Sequence, residues 1–174
     1  MRFAGPLTGI QLECERVLRT LPRWFGIEES LLEYARNTVH LPTFAVEAPE
    51  GIVGFVSLQK HFEAAWEVNC MAIAMHHRGR GLGKELHRRA EEWLVSHGAS
   101  MLQVKTLAST HPSPEYAETR KFYETLGYEA VEVFPSLWGE GLPVLQLAKW
   151  LPRAVKPLAL APSPGNRALS EQQT

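Results

Sequence analysis

AWEVNCMAIAMHHRGRGLGKEL, residues 65–86, passes from one kind of order to another within a single run. Residues 65–74 alternate, so Trp66, Val68, Cys70, Ala72 and Ala74 share one face of a strand while Glu67, Asn69, Met71 and Ile73 share the other. The apolar set reads as core, and the second set carries two polar groups toward something else. From Leu82 the spacing becomes helical: Leu82, Leu86, Ala90, Trp93, Leu94 and His97 form a stripe, with Arg88, Arg89, Glu91 and Glu92 facing away. Gly98 ends that helix, and MLQVKT (101–106) follows as a strand. Strand, glycine loop, helix and strand in that order predict a right-handed crossover between two parallel strands.

Between the first strand and the helix lie Arg78, Gly79, Arg80, Gly81, Leu82, Gly83 and Lys84. Three glycines in five residues let backbone N–H groups crowd onto an anion. The helix start adds positive potential, and Arg78, Arg80 and Lys84 supply charge. The ligand this predicts is a pyrophosphate. Two nucleotide templates fail by counting. A Walker A loop needs glycine five residues before the Gly-Lys pair and a hydroxyl after it, and these positions hold Arg78 and Glu85. The fingerprint GxGxxG needs glycine where Lys84 or Leu86 stands. The neighbouring His76 and His77 have no third ligand at a suitable spacing, so no metal site is expected.

The rest of the chain supplies helices over 8–21, with Thr8 as a cap, and over 28–37. Strands over 43–48 and 51–60 are joined by a Pro49-Glu50-Gly51 turn. Ser113-Pro114-Glu115 opens a further helix to about Leu126, and strands over 128–134 and 143–150 close the pattern. The expected fold class is α/β (mixed α+β): a central mixed sheet of six to seven strands with a parallel central pair, flanked by about four helices. Residues 1–151 form one domain, and 152–174, rich in Pro and Ser without periodicity, read as a flexible tail.

A formal net charge of −1, with no aromatics interleaved among the basic residues, argues against a nucleic-acid partner. No run is long enough to span a bilayer, no apolar leader opens the chain, and Cys14 and Cys70 make no disulfide framework; a cytoplasmic protein away from membranes is expected. All nineteen acidic residues are glutamate, which removes the aspartate that usually holds magnesium or orients a catalytic histidine.

Arg78-Gly79-Arg80-Gly81-Leu82-Gly83 resembles the R/Q-x-x-G-x-G/A signature of the GNAT superfamily of N-acetyltransferases, at its usual distance after a hydrophobic strand. TRKFYETLGYE (119–129) is similar to that superfamily's second signature, a helix carrying Phe-Tyr before a Leu-Gly-aromatic turn. Tyr116 departs from the pattern by standing where asparagine is often found, seven residues before Tyr123. The resemblance covers all but the tail and implies a GNAT-like fold with its central parallel strands splayed. It also implies acetyl-CoA as co-substrate, its pantetheine arm on the backbone of Met71, Ala72 and Ile73 and its pyrophosphate on residues 78–84.

For residue roles, the resemblance implies Glu67 as the base that deprotonates the acceptor, directly or through water, and Tyr123 as the acid that protonates the departing thiolate. It places the acceptor between LPRWFGIEES (21–30) and SLWGEGLP (136–143), where Trp24, Phe25 and Trp138 form an apolar pocket; Glu28, Glu29 or Glu140 would attract a cation, and Arg23 and Arg120 would equally suit an acidic acceptor. With alternation turning Cys70 into the core, no cysteine carries the acetyl group, and the amine attacks directly in a ternary complex. The expected activity is acetyl transfer from acetyl-CoA to a primary amine on a small molecule, with a homodimer left open. The alternative is a non-catalytic acetyl-CoA-binding sensor or regulatory module.

Overall fold

In the computed structural model, which describes residues 1–152, the crossover after residue 65 lies at the centre of a seven-stranded sheet. Along the chain the elements are β1 (Arg2–Leu7), α1 (Gln11–Arg19), α2 (Glu28–Asn37), β2 (Thr43–Ala48), β3 (Gly51–Phe62), β4 (Ala65–Ile73), a 3-10 turn Met75–His77, α3 (Leu82–Ser96), β5 (Met101–Leu107), α4 (Pro114–Thr125), β6 (Glu129–Phe134) and β7 (Val144–Trp150). The sheet order is β1-β2-β3-β4-β5-β7-β6, and β4–β5 is its parallel pair. This is the expected mixed fold with seven strands and four α-helices. The tail expected from 152 onward falls, apart from Pro152, outside the described residues.

Two boundaries differ from the sequence reading. β1 was not expected, because Gly5 and Pro6 interrupt any alternation in RFAGPL. An edge strand tolerates such a sequence, and β1 pairs only with β2. The first helix starts at Gln11, so Thr8 does not cap it. Ser113 does cap α4, its hydroxyl accepting from the Tyr116 N–H at 3.4 Å with Pro114 in the first turn.

Strict alternation in β4 is also corrected. Ser57 of β3 faces Cys70 while Leu58 faces Val68, so Asn69 is one residue too many and forms a bulge. Before it Trp66 and Val68 pack toward α3; after it Met71 and Ile73 do, while Cys70 and Ala72 join Phe55 under α1 and α2. One strand therefore feeds both cores, and the five residues expected on one face are split between two. Burial pushes the Cys14 thiol up to about 12 and the Cys70 thiol well above its ordinary value, which leaves both inert at neutral pH.

On α3, His87 is buried, although the apolar stripe read from the sequence left it out. Its Nε2 lies 2.8 Å from the Tyr128 hydroxyl, and its Nδ1 lies 3.4 Å from Glu91 Oε1, which also pairs with Lys149. Burial, with the Lys149 charge beside it, lowers the histidine from 6.5 to about 3. Between those values the unfolded chain binds the proton and the folded chain refuses it. Stability present above pH 6.5 is therefore lost as the pH falls, by roughly 1.4 kcal/mol per unit for this group. Urea unfolding at pH 7, 6 and 5 should show this slope, and His87→Gln should flatten it; equal slopes would mean that the imidazole accepts a proton inside the fold.

Candidate active site

β4 and β5 run together for only three pairs, Ala65 with Met101, Trp66 with Leu102 and Glu67 with Gln103. Beyond them the strands part, leaving a V whose arms are Val68–Ile73 and Val104–Leu107. A cavity of about 1030 Å³ occupies the V and opens to both faces of the sheet, touching α2 on one side and α3 and α4 on the other. Strand geometry decides which backbone groups reach it. The Ala74 N–H donates to Val53 O at 2.8 Å, toward β3. Successive N–H groups alternate, so the N–H groups of Met71 and Ile73 point away from β3 into the cleft, and that of Ala72 points to β3. The expected trio therefore divides: Met71 and Ile73 offer backbone donors, and Ala72 packs into the core.

At the end of the V on the α3 side, every residue from Arg78 to Lys84 except Arg80 lines the cavity. Gly79 and Gly81 have φ of +73° and +78° with open space around them, so glycine is needed there for backbone conformation. Gly83 is not constrained in this way: it has no positive φ, and a Cβ there would meet Met71 and Phe122 in ordinary contact at 3.4 Å. No side chain caps α3 at Gly81, and the first intrahelical bond runs from the Glu85 N–H to Gly81 O. The N–H groups of Leu82, Gly83 and Lys84 are thus free for an anion. The buried Thr106 hydroxyl in the cleft wall also lacks a partner among the described residues. Free helix-end donors, strand-edge donors and a spare hydroxyl fit a ligand made of pyrophosphate and amides.

Tyr123 on α4 is 5% exposed and borders the cavity. Burial pushes its hydroxyl well above the ordinary tyrosine value, so it keeps its proton at any physiological pH. Glu67 sits where the two strands separate, and its oxygen Oε2 accepts from Lys105 Nζ at 2.7 Å and Gln103 Nε2 at 2.8 Å, with His61 Nε2 also at 2.7 Å. All three partners meet one oxygen, leaving Oε1 without a partner among the described residues. Burial alone would raise this carboxyl, but Lys105, His61 and Gln103 together hold it below the ordinary glutamate value. Glu67 does not itself line the cavity; Lys105, its ion-pair partner, does.

Trp24, Phe25 and Trp138 all line the cavity, as expected of an acceptor pocket. The expected anions are placed elsewhere: Glu28 is engaged by Arg19, and neither Glu29 nor Glu140 reaches the cavity. Glu33 lines it instead, one helical turn after Glu29 on α2. Sequence reasoning also missed Tyr34, Asn37, Lys105 and His111 in the wall. For Lys105, the alternation of MLQVKT supplies a signal, since it shares a face with Gln103.

An acyl-CoA-dependent transferase cleft is the class that this fold and geometry define. The family model described as "Acetyltransferase (GNAT) family" matches residues 12–128, so the chain belongs to the GNAT acetyltransferases, which use acetyl-CoA. No match was found among curated proteins. Similar solved structures include a GNAT-family protein from Desulfovibrio desulfuricans (19% identity, TM-score 0.72, covering 86% of this chain and 98% of that one). Others are an aminoglycoside 6'-N-acetyltransferase complexed with coenzyme A (20%, 0.68, 88% and 99%) and the ribosomal-protein-S18-alanine N-acetyltransferase of Escherichia coli (17%, 0.69, 90% and 97%). At these identities the likeness establishes the fold.

Gly81→Ala isolates the anion loop. The new Cβ has space but must sit at positive φ, so the helix start shifts, and coenzyme A should bind about tenfold more weakly by calorimetry. Unchanged affinity would place the pyrophosphate elsewhere.

Proposed function

We propose that the chain is an N-acetyltransferase acting on a primary amine of a small molecule by direct attack in a ternary complex. The observation that carries this reading is the V between β4 and β5, which brings backbone donors and a protonated tyrosine around one cavity open on both sheet faces, with a fixed carboxylate behind Lys105 where the strands part. Acetyl-CoA supplies a thioester there, its pyrophosphate held by residues 78–84 and its pantetheine arm by the exposed edge of β4.

The acceptor arrives as an ammonium. With a pKa near 10.4 it is about a thousandth neutral at pH 7, a handicap of roughly 4–5 kcal/mol. We assign the removal of that proton to Glu67. A carboxylate held below its ordinary value is a weak base, so it acts by orienting water at its free Oε1 and stabilising the charge that passes. Four residues of strand also separate it from Met71, about 13 Å, a span that water bridges. The N–H groups of Met71 and Ile73 polarise the carbonyl and hold the oxyanion. Tyr123, kept protonated by burial, donates to the leaving sulfur. Trp24, Phe25 and Trp138 wall the acceptor, with Glu33 drawing cations toward it. The similar solved structures include enzymes named for an aminoglycoside and for a ribosomal protein. We favour a small amine because a cavity walled by Trp24, Phe25 and Trp138 suits a compact cation better than a folded protein's terminus.

Free-thiol release from acetyl-CoA across a panel of amines tests this reading. Glu67→Gln and Tyr123→Phe should each lower kcat by about 10²-fold, with acetyl-CoA affinity changed less than about twofold. Turnover unaffected by either substitution would remove both residues from the mechanism. Tight acetyl-CoA binding without thiol release for any amine would instead favour a sensing module.

A further inference from the structure

The V between β4 and β5 is open at its far edge in the sheet, but other parts of the chain close it. Just beyond β4, the Met75 N–H donates to Thr20 Oγ1 at 3.2 Å, tying that arm to the end of α1. The connection after α1 then crosses to α4. Trp24 Nε1–H donates to Glu115 O at 3.2 Å and Thr119 Oγ1 at 3.1 Å, and the Tyr116 hydroxyl donates to Trp24 O at 2.8 Å. Arg23 pairs with Glu115 at 3.0 Å. From α4, Arg120 Nη1 donates to Leu107 O at 2.8 Å, at the end of β5. Hydrogen bonds thus run from the tip of one arm of the V to the tip of the other, and the cleft is a ring.

The crossing point is Trp24. Its indole is held on one side by α4 and covered on the other by the Arg78 guanidinium, 4.2 Å from the ring centroid and 3.3 Å from Glu118. Tyr116, the residue that departs from the family signature, supplies the bond to the Trp24 backbone. An asparagine side chain at that position is too short to place a donor where the phenol places one.

We infer that this ring is a selectivity device, with Tyr116 and Trp24 as positioning residues that restrict the acceptor to amines on unbranched arms. The inference rests on the acetyltransferase reading above. With the edge closed, an amine enters the cavity from a sheet face, where Trp24 is part of the wall. On this reading a methylene chain slides past the locked indole, whereas a substituent on the carbon next to nitrogen meets it. The indole cannot yield without breaking the bonds that hold it.

The test compares an unbranched primary alkylamine with its isomer branched next to nitrogen, at saturating acetyl-CoA, for the wild type, Tyr116→Phe and Trp24→Phe. Tyr116→Phe keeps the ring of the side chain and deletes one hydrogen bond; Trp24→Phe keeps an aromatic wall and deletes two. The wild type should prefer the unbranched amine by at least about tenfold. Tyr116→Phe should reduce that preference about fivefold, the loss of one hydrogen bond, and Trp24→Phe should reduce it further, both mainly through the KM of the acceptor. Hydrogen exchange of amides 23–27 supplies a second readout independent of catalysis, and it should quicken about fivefold in Tyr116→Phe. Unchanged exchange would overturn the latch itself, and faster exchange with an unchanged amine preference would overturn its role in selectivity. A wild type without any amine turnover, whatever the exchange result, would bring down the acetyltransferase reading and the selectivity role together.

Discussion

The parting of β4 and β5 after three backbone pairs is the constraint on which the site depends. A parallel ladder left unfinished exposes N–H and C=O groups that must find partners, because unpaired backbone in a buried setting costs about as much as a lost hydrogen bond. The cleft answers with a ligand rather than a strand. Met71 and Ile73 present donors along one arm, and the Thr106 hydroxyl in the other stands without a partner among the described residues. Had the two strands stayed paired to their ends, the same residues would make an ordinary closed sheet without a cavity.

Two local devices keep the V open without weakening the sheet around it. The Asn69 bulge turns β4 over midway, so the strand packs into both cores and is held where it leaves its neighbour. The Asn69 amide oxygen lies 3.4 Å from both Asn37 Nδ2 and Ser57 Oγ, joining the bulge to α2 and β3. On the other arm, β5 stays paired along its whole length with β7, so it gains its stability from the side away from the cleft. The Lys105–Glu67 ion pair spans the point of divergence, with both side chains mostly shielded from water. Breaking such a pair from one side leaves an uncompensated charge, which is why the carboxylate stays fixed.

Much of this was legible in the sequence, for a physical reason. Helix and strand periods in 65–106 are strong because buried positions alternate with partly exposed ones along β4 and β5 and α3 buries a single stripe, and Gly79 and Gly81 mark backbone that a side chain would strain. From those features came the crossover, the parallel pair, the anion loop and the family resemblance that the family model bears out. What was not legible depends on contacts remote in sequence. The Asn69 bulge is visible only from its partner strand β3, because nothing in WEVNCMA breaks alternation. β1 escaped notice because an edge strand needs little pattern. His87 fell outside the apolar stripe of α3, and its burial depends on Tyr128 and Lys149, which the fold brings beside it. Tyr116 was legible only as a departure from a motif; its bond to Trp24, 92 positions away, is visible only in the fold.

The central claim, that the parted strands form the acetyl-CoA seat, is most directly tested by amide hydrogen exchange with and without coenzyme A. The account predicts slowed exchange at Met71 and Ile73 and at residues 82–84, with no change at 101–103, where β4 and β5 are already paired. Protection confined to other parts of the sheet, with Met71, Ile73 and the α3 start exchanging as before, would contradict it.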